Sequence, residues 1–200
     1  LKKQSTGSTS WLTTLNDGTA NMDRNAAFDG TNVYIAKVGN GIDPAIYAIP
    51  LTDPENVSMV NMTGVSGGYF PISCVRTIKN GDNKILLASN MAMDSGDYVK
   101  VYAWKDGVNS APTSIIANWT IPTWASRRFG DQFTVCGDWT KGEMWNKDMT
   151  AGAIGSYNIV DGAISGGLNG WGTIGGAYLG SVYRYNVTDP NMLIVPGASD

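Results

Sequence analysis

The chain carries a similar nine-residue phrase near each of its two ends. Residues 46–54 and residues 182–190 share Tyr at the second position and Thr-Asp-Pro at the close. Two further aliphatic-aromatic pairs, Val101-Tyr102 and Met144-Trp145, lie between the copies. The aromatic anchors at 47, 102, 145 and 183 are therefore 55, 43 and 38 residues apart. That spacing averages about 45 residues, the length of one four-stranded propeller blade, so we expect the four anchors to occupy equivalent places in successive blades.

The rest of the chain has the pattern of consecutive strands. Its apolar residues come in runs of four to eight bounded by Gly, Asn, Asp or Pro, and helical periodicity is nearly absent. The sequence predicts an all-β β-propeller with about four blades. Propeller rings usually close with four to eight blades, so the chain is either a small ring or, as we expect, part of a larger one. The predicted divisions are a leader at 1–22 and blades at about 23–66, 67–122, 123–165 and 166–200.

Charge and hydropathy exclude two kinds of partner. With 14 basic and 17 acidic residues the net charge is only -3, and the basic residues are scattered, so no nucleic-acid partner is expected. No stretch approaches the roughly 20 apolar residues of a membrane helix. Residues 1–10 also lack an apolar signal-peptide core. Because both ends are polar, we expect a removed leader or a longer parent chain, with a lipid anchor on that parent as one form of attachment.

A series of motifs occurs in order over roughly residues 11–145. The motifs are Arg24 with Ala26-Ala27-Phe28, Gly67-Gly68, Leu87-Ala88-Ser89-Asn90, Val99 to Trp104 followed by Ala111-Pro112-Thr113, and Arg128 to Asp131 before Phe133 to Gly137. This series resembles a little-studied family of propeller-forming domains of unknown function, found in exported lipoproteins and surface proteins of Bacteroidota. The resemblance implies a propeller and an address at the outer-membrane surface or in the periplasm of a Gram-negative bacterium. It implies no catalytic residues, because the family's activity is unsettled.

Catalytic chemistry is poorly represented in the sequence. The chain has no histidine, which removes Ser-His-Asp and Cys-His arrangements and any histidine-containing metal site. A two-carboxylate glycosidase needs only Asp and Glu, but most of the acids stand in turns such as Asp29-Gly30, where Asp hydrogen-bonds its own backbone. Asp131, Asp138 and Glu143 lie near strands and are the acids to test for chemistry. We expect a protein that is not an enzyme.

Tryptophan and arginine supply the candidate ligand-binding residues. Trp124, Trp139 and Trp171 stand beside small polar residues, a setting in which an indole stacks on a sugar ring while its neighbours bind hydroxyl groups. The alternative is that these indoles fill the wedge between blades, which is the interpretation favoured for Trp104 and Trp145. Arg24 and Arg128 occur near predicted blade starts, where they would bind polar ligand groups or bridge adjacent blades.

The sequence gives only weak signals for a cofactor or for cysteine chemistry. No cofactor is expected. Calcium is an alternative at Asp94–Asp97 and Asn80–Asn83, although neither segment has the longer ligand series with a closing Glu. Cys74 and Cys136 stand in apolar strands, which favours buried free thiols over a disulfide.

The favoured hypothesis is a non-catalytic cell-surface or periplasmic binding module with carbohydrate as its ligand. A scaffold or adhesion subunit that docks on an outer-membrane transporter complex is the alternative. A glycan hydrolase or lyase comes third.

Overall fold

The computed structural model describes residues 23–37, 43–93, 97–120, 129–131, 133–147, 153–165, 171–173, 183–184 and 193–194. Throughout these residues the regular structure is β-strand, with no helix, and therefore no helix of a length and apolarity that could span a membrane. The strands are β1 (Asp23–Phe28), β2 (Asn32–Lys37), β3 (Ala45–Pro50), β4 (Ser58–Met59), β5 (Phe70–Asn80), β6 (Asn83–Met91), β7 (Tyr98–Trp104), β8 (Thr113–Thr120), β9 (Phe133–Gly137), β10 (Lys141–Lys147), β11 (Ala153–Val160), β12 (Ala163–Ser165), β13 (Trp171–Thr173), β14 (Tyr183–Arg184) and β15 (Leu193–Ile194).

The strands form three antiparallel sheets in chain order. Strands β1 to β4 make the first sheet, β5 to β8 the second and β9 to β12 the third, each strand pairing with the next one along the chain. Strand β13 pairs with the beginning of β11, and β12 pairs with the end of β11 along the same edge of that strand. It comes from the segment predicted as a fourth blade. Strands β14 and β15 pair with each other. The expected all-β class is confirmed.

Turn residues explain why the strands reverse where they do. Asp29 Oδ1 accepts hydrogen bonds from the backbone amides of Thr31 (2.7 Å) and Asn32 (2.6 Å). Asp138 Oδ1 accepts the equivalent bonds from Thr140 and Lys141. These are Asx turns, in which a short carboxylate replaces backbone partners. At Asp161-Gly162 both residues have positive φ, 47° and 75°, as a two-residue hairpin turn requires.

The second sheet is covered on both of its faces. Strand β6 is buried without interruption from Ile85 to Met91, which is why its apolar run does not alternate. One face packs on the first sheet through a core cluster that includes Ile46, Leu86 and Trp104. The other face packs on the third sheet through a cluster that includes Leu87 and Phe133. The three sheets therefore lie face to face in chain order.

A tyrosine lies on the third strand of each of the three sheets. Tyr47 pairs with Ile35, Tyr102 with Ala88 and Tyr157 with Met144, and successive tyrosines are 55 residues apart. Tyr102 packs towards the first sheet and Tyr157 towards the second.

The equivalence expected for Trp145 is therefore wrong. Trp145 lies on β10, the second strand of its sheet, and the residue equivalent to Tyr47 and Tyr102 is Tyr157. The spacing of aromatic pairs does not distinguish a second strand from a third, because both are central strands rich in buried apolar residues. Tyr183 lies on β14, and its side chain is outside the described part of the chain.

The first strands of successive sheets run beside one another. Strand β1 contacts β5, β5 contacts β9, and β9 contacts β14. Arg76 on β5 donates from Nη1 to Asn25 Oδ1 on β1, and also to the carbonyl of Val75 at 2.8 Å. Arg76 therefore bridges the first strands of two adjacent sheets.

The Gly130 backbone is packed against the end of β6. Gly130 has φ +89°, and a Cβ at this position would lie 1.8 Å from the Asn90 carbonyl oxygen. Its own carbonyl accepts a hydrogen bond from Ser89 Oγ at 2.6 Å. Gly30 also has a positive φ, +109°, but a Cβ there would meet nothing within 4 Å. A comparison of substitutions at the two positions therefore distinguishes the cost of the positive φ from the cost of steric overlap.

We expect Gly130→Ala to destabilise the protein much more than Gly30→Ala. The left-handed backbone costs about 1 kcal/mol at either position, and overlap with the Asn90 carbonyl brings the cost at Gly130 to about 3 kcal/mol. Urea unfolding of the two variants beside the wild type measures both values. Equal losses would contradict the close approach of these backbones.

Candidate functional site

The first and second sheets separate at their turn ends and leave a groove there. Its volume is about 400 Å³, within the range of small-molecule sites. The turn after β1, the turn between β5 and β6, and the segment after β7 form its rim. The residues that line the groove include Asp29, Tyr34, Asn83, Lys84, Trp104 and Lys105.

Two aromatic residues of the first core cluster close the bottom of the groove. Tyr34 is 3% exposed and Trp104 is 2% exposed. Trp104 Nε1 donates to the Asn61 carbonyl at 2.8 Å, and the Tyr34 hydroxyl donates to Asp29 Oδ2 at 2.6 Å. Both rings are therefore fixed in position, which makes the bottom of the groove rigid.

Asp29 is held as a carboxylate at the rim. Partial burial alone would raise its pKa. Hydrogen bonds from Asn32, Tyr34 and Thr31 outweigh that effect and hold the pKa below its ordinary value of 3.8. Burial, together with the hydrogen bond to Asp29 and its charge, raises the pKa of Tyr34. The pair consequently presents one ionised carboxylate and one neutral phenol at neutral pH.

The opposite rim carries exposed amide and ammonium groups. Asn80, Asn83 and Lys84 are exposed on the β5–β6 turn, and Lys105 is exposed after β7. Lys84 Nζ lies 5.6 Å from the centre of the Phe28 ring and donates to the Phe28 carbonyl at 3.3 Å. The groove thus combines an aromatic bottom with hydrogen-bond donors and acceptors around its opening.

Of the five predicted ligand-binding residues, Trp139 alone has a described side chain. Trp124 and Arg128 lie outside the described residues. Arg24 lies on β1 and Trp171 on β13, but their side chains are also outside the described part. The structure therefore neither brings these five residues together nor separates them.

Trp139 lies at the turn end of the third sheet. Its side chain is half-buried and packs against the cluster between the second and third sheets. Its amide donates to the Lys79 carbonyl at 2.7 Å, and its carbonyl accepts from Gly162 at 2.8 Å. A Cβ on Gly162 would lie 2.4 Å from the indole nitrogen, so Gly162 leaves room for this ring. These contacts match the wedge-filling alternative, and the half-exposed indole keeps a surface for a ligand.

The three acids selected for chemistry have separate local roles. Asp131 is 5% exposed and accepts a hydrogen bond from Ser73 Oγ at 3.0 Å. Glu143 accepts one from Trp145 Nε1 at 3.2 Å. Asp138 forms an Asx turn, and hydrogen bonds from Thr140 and Lys141 lower its pKa. Asp138 therefore behaves like the other turn aspartates, although sequence reasoning had separated it from them.

Neither cysteine lines the groove. Of the two calcium candidates, Asn80–Asn83 forms the turn between β5 and β6, and most of Asp94–Asp97 lies outside the described residues. Cys74 and Cys136 are free thiols. Cys74 is fully buried and Cys136 partly so, and burial raises the pKa of Cys74. Within the described ranges, no three residues of the metal-binding types Cys, Asp and Glu are grouped so as to hold a metal ion.

Sequence reasoning missed the residues around the groove. Asn80 and Asn83 were interpreted as turn residues or as an alternative calcium site, and Lys84 and Lys105 as scattered surface charges. Their local sequences are those of ordinary turns. Only the packing of the first sheet on the second brings these turns together, and no local pattern encodes that approach.

Comparison with known proteins gives a fold relative. No family model matches this chain, and no curated protein matches it. Among solved structures, the chain is similar to the crystal structure of a DUF4623 family protein from Bacteroides eggerthii, with a TM-score of 0.68 and 20% sequence identity. The match covers 88% of this chain and 41% of that one, so this chain spans about two-fifths of its relative's length. At this identity the likeness shows the fold, and it agrees with the expected resemblance to a Bacteroidota domain of unknown function.

We expect Asp29→Asn to lower stability at neutral pH and to have less effect in acid. Because the pKa of Asp29 is lower in the folded chain than in the unfolded one, its contribution is fully present above pH 3.8 and is lost as the pH falls through the folded-state pKa. Urea unfolding of wild type and variant between pH 7 and pH 2.5 measures the difference. A gap that stays constant over that range would contradict the hydrogen-bonded carboxylate.

Proposed function

We propose that this chain is a segment of a β-propeller that works as a non-catalytic carbohydrate-binding module. Three observations support the propeller. The sheets follow one another face to face, and their first strands adjoin. A tyrosine also recurs on the third strand of each sheet, at intervals of 55 residues. Radial blades built from consecutive four-stranded sheets have this arrangement. Since the similar Bacteroides protein is more than twice as long as the matched region, the rest of the ring would come from a longer parent chain.

The groove between the first two sheets is the observation that carries the binding proposal. A sugar needs an apolar surface for its C–H face and polar groups for its hydroxyls. Tyr34 and Trp104, which are 3% and 2% exposed, supply only a small apolar contact, and Asn83, Lys84 and Lys105 supply the polar groups. The rigid bottom favours affinity because little side-chain freedom is lost on binding.

The charges around the groove favour binding over hydrolysis. Glycoside hydrolysis uses two carboxyl groups, one of them a general acid with a raised pKa. Asp29 is the carboxylate among the residues that line the groove, and its pKa is lowered. Its oxygens already accept hydrogen bonds from Thr31, Asn32 and Tyr34.

The location we propose is the cell surface or periplasm of a Gram-negative bacterium. The motif resemblance supports this address, and the fold relative comes from a Bacteroides species. A polysaccharide encountered outside the cytoplasmic membrane is the corresponding ligand.

A scaffold that docks on an envelope protein is the second candidate. The outer strand β4 has only two residues, and Met59 on it is 62% exposed. Leu51, before β4, is 53% exposed. A two-residue edge strand offers few backbone groups for strand addition, so such a partner would dock mainly on the exposed side chains of Met59 and Leu51. Pull-down from an envelope fraction would recover a stoichiometric protein for the scaffold but not for the carbohydrate module.

We expect Asn83→Ala and Lys84→Ala each to weaken carbohydrate binding about fivefold, since each removes one hydrogen-bonding group worth about 1 kcal/mol. Affinity electrophoresis through gels that contain a neutral β-glucan, xylan or polygalacturonate identifies the polysaccharide. Isothermal titration with its oligosaccharides then measures the dissociation constants.

Lys141→Ala is the matched control for Lys84→Ala, because Lys141 is an exposed turn lysine of the third sheet, away from the groove. It should bind like the wild type. Wild-type protein that is retarded by none of the gels would contradict the proposed function. Equal losses in Lys84→Ala and Lys141→Ala would contradict the position of the site.

A further inference from the structure

The far end of the second sheet carries a pair of exposed tyrosines. Tyr69 is 47% exposed and Tyr98 is 46% exposed. They lie where β5 and β7 begin and β6 ends. Strand β6 has nine residues, so this end is roughly 25 Å from the groove. The two regions are therefore separate surfaces.

One buried amide joins the segments that bear the two tyrosines. Asn90 is fully buried. Its Nδ2 donates to the Tyr98 carbonyl at 2.8 Å and to the Gly67 carbonyl at 3.5 Å, and its Oδ1 accepts from the Lys100 amide at 2.8 Å. The backbone of Tyr98 is thus held beside Gly67, two residues before Tyr69. The Tyr69 amide in turn donates to the Met91 carbonyl at 2.8 Å.

The Tyr69 ring is also braced from the side. Its centroid lies 4.8 Å from that of Phe70, with the rings at 68° to each other, an edge-to-face contact of the favourable kind. An exposed ring with fixed backbone and a fixed neighbour loses little freedom when a ligand stacks on it. Such a ring is better suited to binding than an exposed aromatic on a loose loop.

Two glycines leave bare backbone between the tyrosine-bearing segments. Gly67 and Gly68 have φ of +88° and +74°, a conformation that favours glycine. A Cβ on Gly68 would lie 2.5 Å from the Met91 carbonyl oxygen, and one on Gly67 would lie 2.9 Å from Lys100 Nζ. Lys100 Nζ donates to the Ser66 carbonyl at 2.9 Å, so an ammonium group stands at the edge of this surface.

We propose that Tyr69, Tyr98 and the Gly67-Gly68 backbone between them form a second carbohydrate-binding surface, which we call the tyrosine platform. A pyranose ring of a polysaccharide stacks on the tyrosines, and Lys100 donates to its hydroxyl groups. Phenol rings with an adjacent donor suit a sugar, which has an apolar C–H face and a polar perimeter. The platform shares the ligand class of the proposed function but none of the groove residues.

The experiment is affinity electrophoresis of the full chain through gels that contain a neutral β-glucan, xylan or polygalacturonate. The double variant Tyr69→Ala/Tyr98→Ala should weaken retardation about tenfold in the gel that retards the wild type. Tyr69→Phe/Tyr98→Phe keeps both rings and should stay within about twofold of the wild type. Met59→Ala, a truncation of an exposed side chain on the outer edge, should bind like the wild type. Circular dichroism melting of each variant checks the fold.

Each outcome decides the proposal separately from the groove. Loss in the double alanine variant with binding kept in Asn83→Ala and Lys84→Ala supports the platform and overturns the groove. The reverse pattern overturns the platform and leaves the proposed function standing. Equal loss in the alanine and phenylalanine pairs also overturns stacking. If the double alanine variant melts early, Tyr98→Ala alone carries the test, and wild-type binding by that variant overturns the platform. A wild type that none of the polysaccharides retards overturns both sites.

Discussion

The burial of both faces of the second sheet is the constraint on which the other described features depend. Its buried side chains pack against two neighbouring sheets. Leu86 and Trp104 contact the first sheet, and Leu87 contacts the third. A central strand of such a sheet has no solvent side, so its residues are apolar or, like Ser89 and Asn90, buried with hydrogen-bond partners. It ends in turns that reach water. Those turns form the groove at one end, and the chain between the sheets forms the tyrosine platform at the other.

The two wedges beside this sheet differ at their turn ends for a local reason. Between the second and third sheets, the half-buried indole of Trp139 packs into the wedge, and Gly162 leaves space for it. Between the first and second sheets, the turn of the second sheet carries Gly81, where an added Cβ would meet nothing within 4 Å. One wedge is therefore filled by an aromatic side chain, while the other stays open as the groove. The same repeating framework therefore produces a packed contact between the second and third sheets and an open groove between the first and second.

Much of this framework could be predicted from the sequence, and the failures have physical reasons. The strands around Tyr47, Tyr102 and Phe133, and the turns at Asp29 and Asp161, follow from local patterns that a short segment encodes. Trp145 was assigned to the wrong strand because second and third strands share one pattern. The groove cannot be read from the sequence, because Asn83 and Lys84 look like ordinary turn residues and only the packing of the first sheet beside them creates the groove. Small polar neighbours mark Trp139 in the sequence. The fixed positions of Tyr98 and Tyr69 depend instead on Asn90 and Met91 respectively, and Met91 is distant from Tyr69 in the chain.

If the proposed function holds, the length of β6 sets how this protein meets a polymer. Because β6 begins at the groove and extends for nine residues to the tyrosine platform, a disaccharide would reach one of them and not both. A long polysaccharide can engage both ends only by wrapping round the sheet edge, and two polysaccharides can be joined through one protein molecule. Occupation of both ends would therefore favour cross-linked networks over the capture of single short chains, with avidity that depends on polymer length.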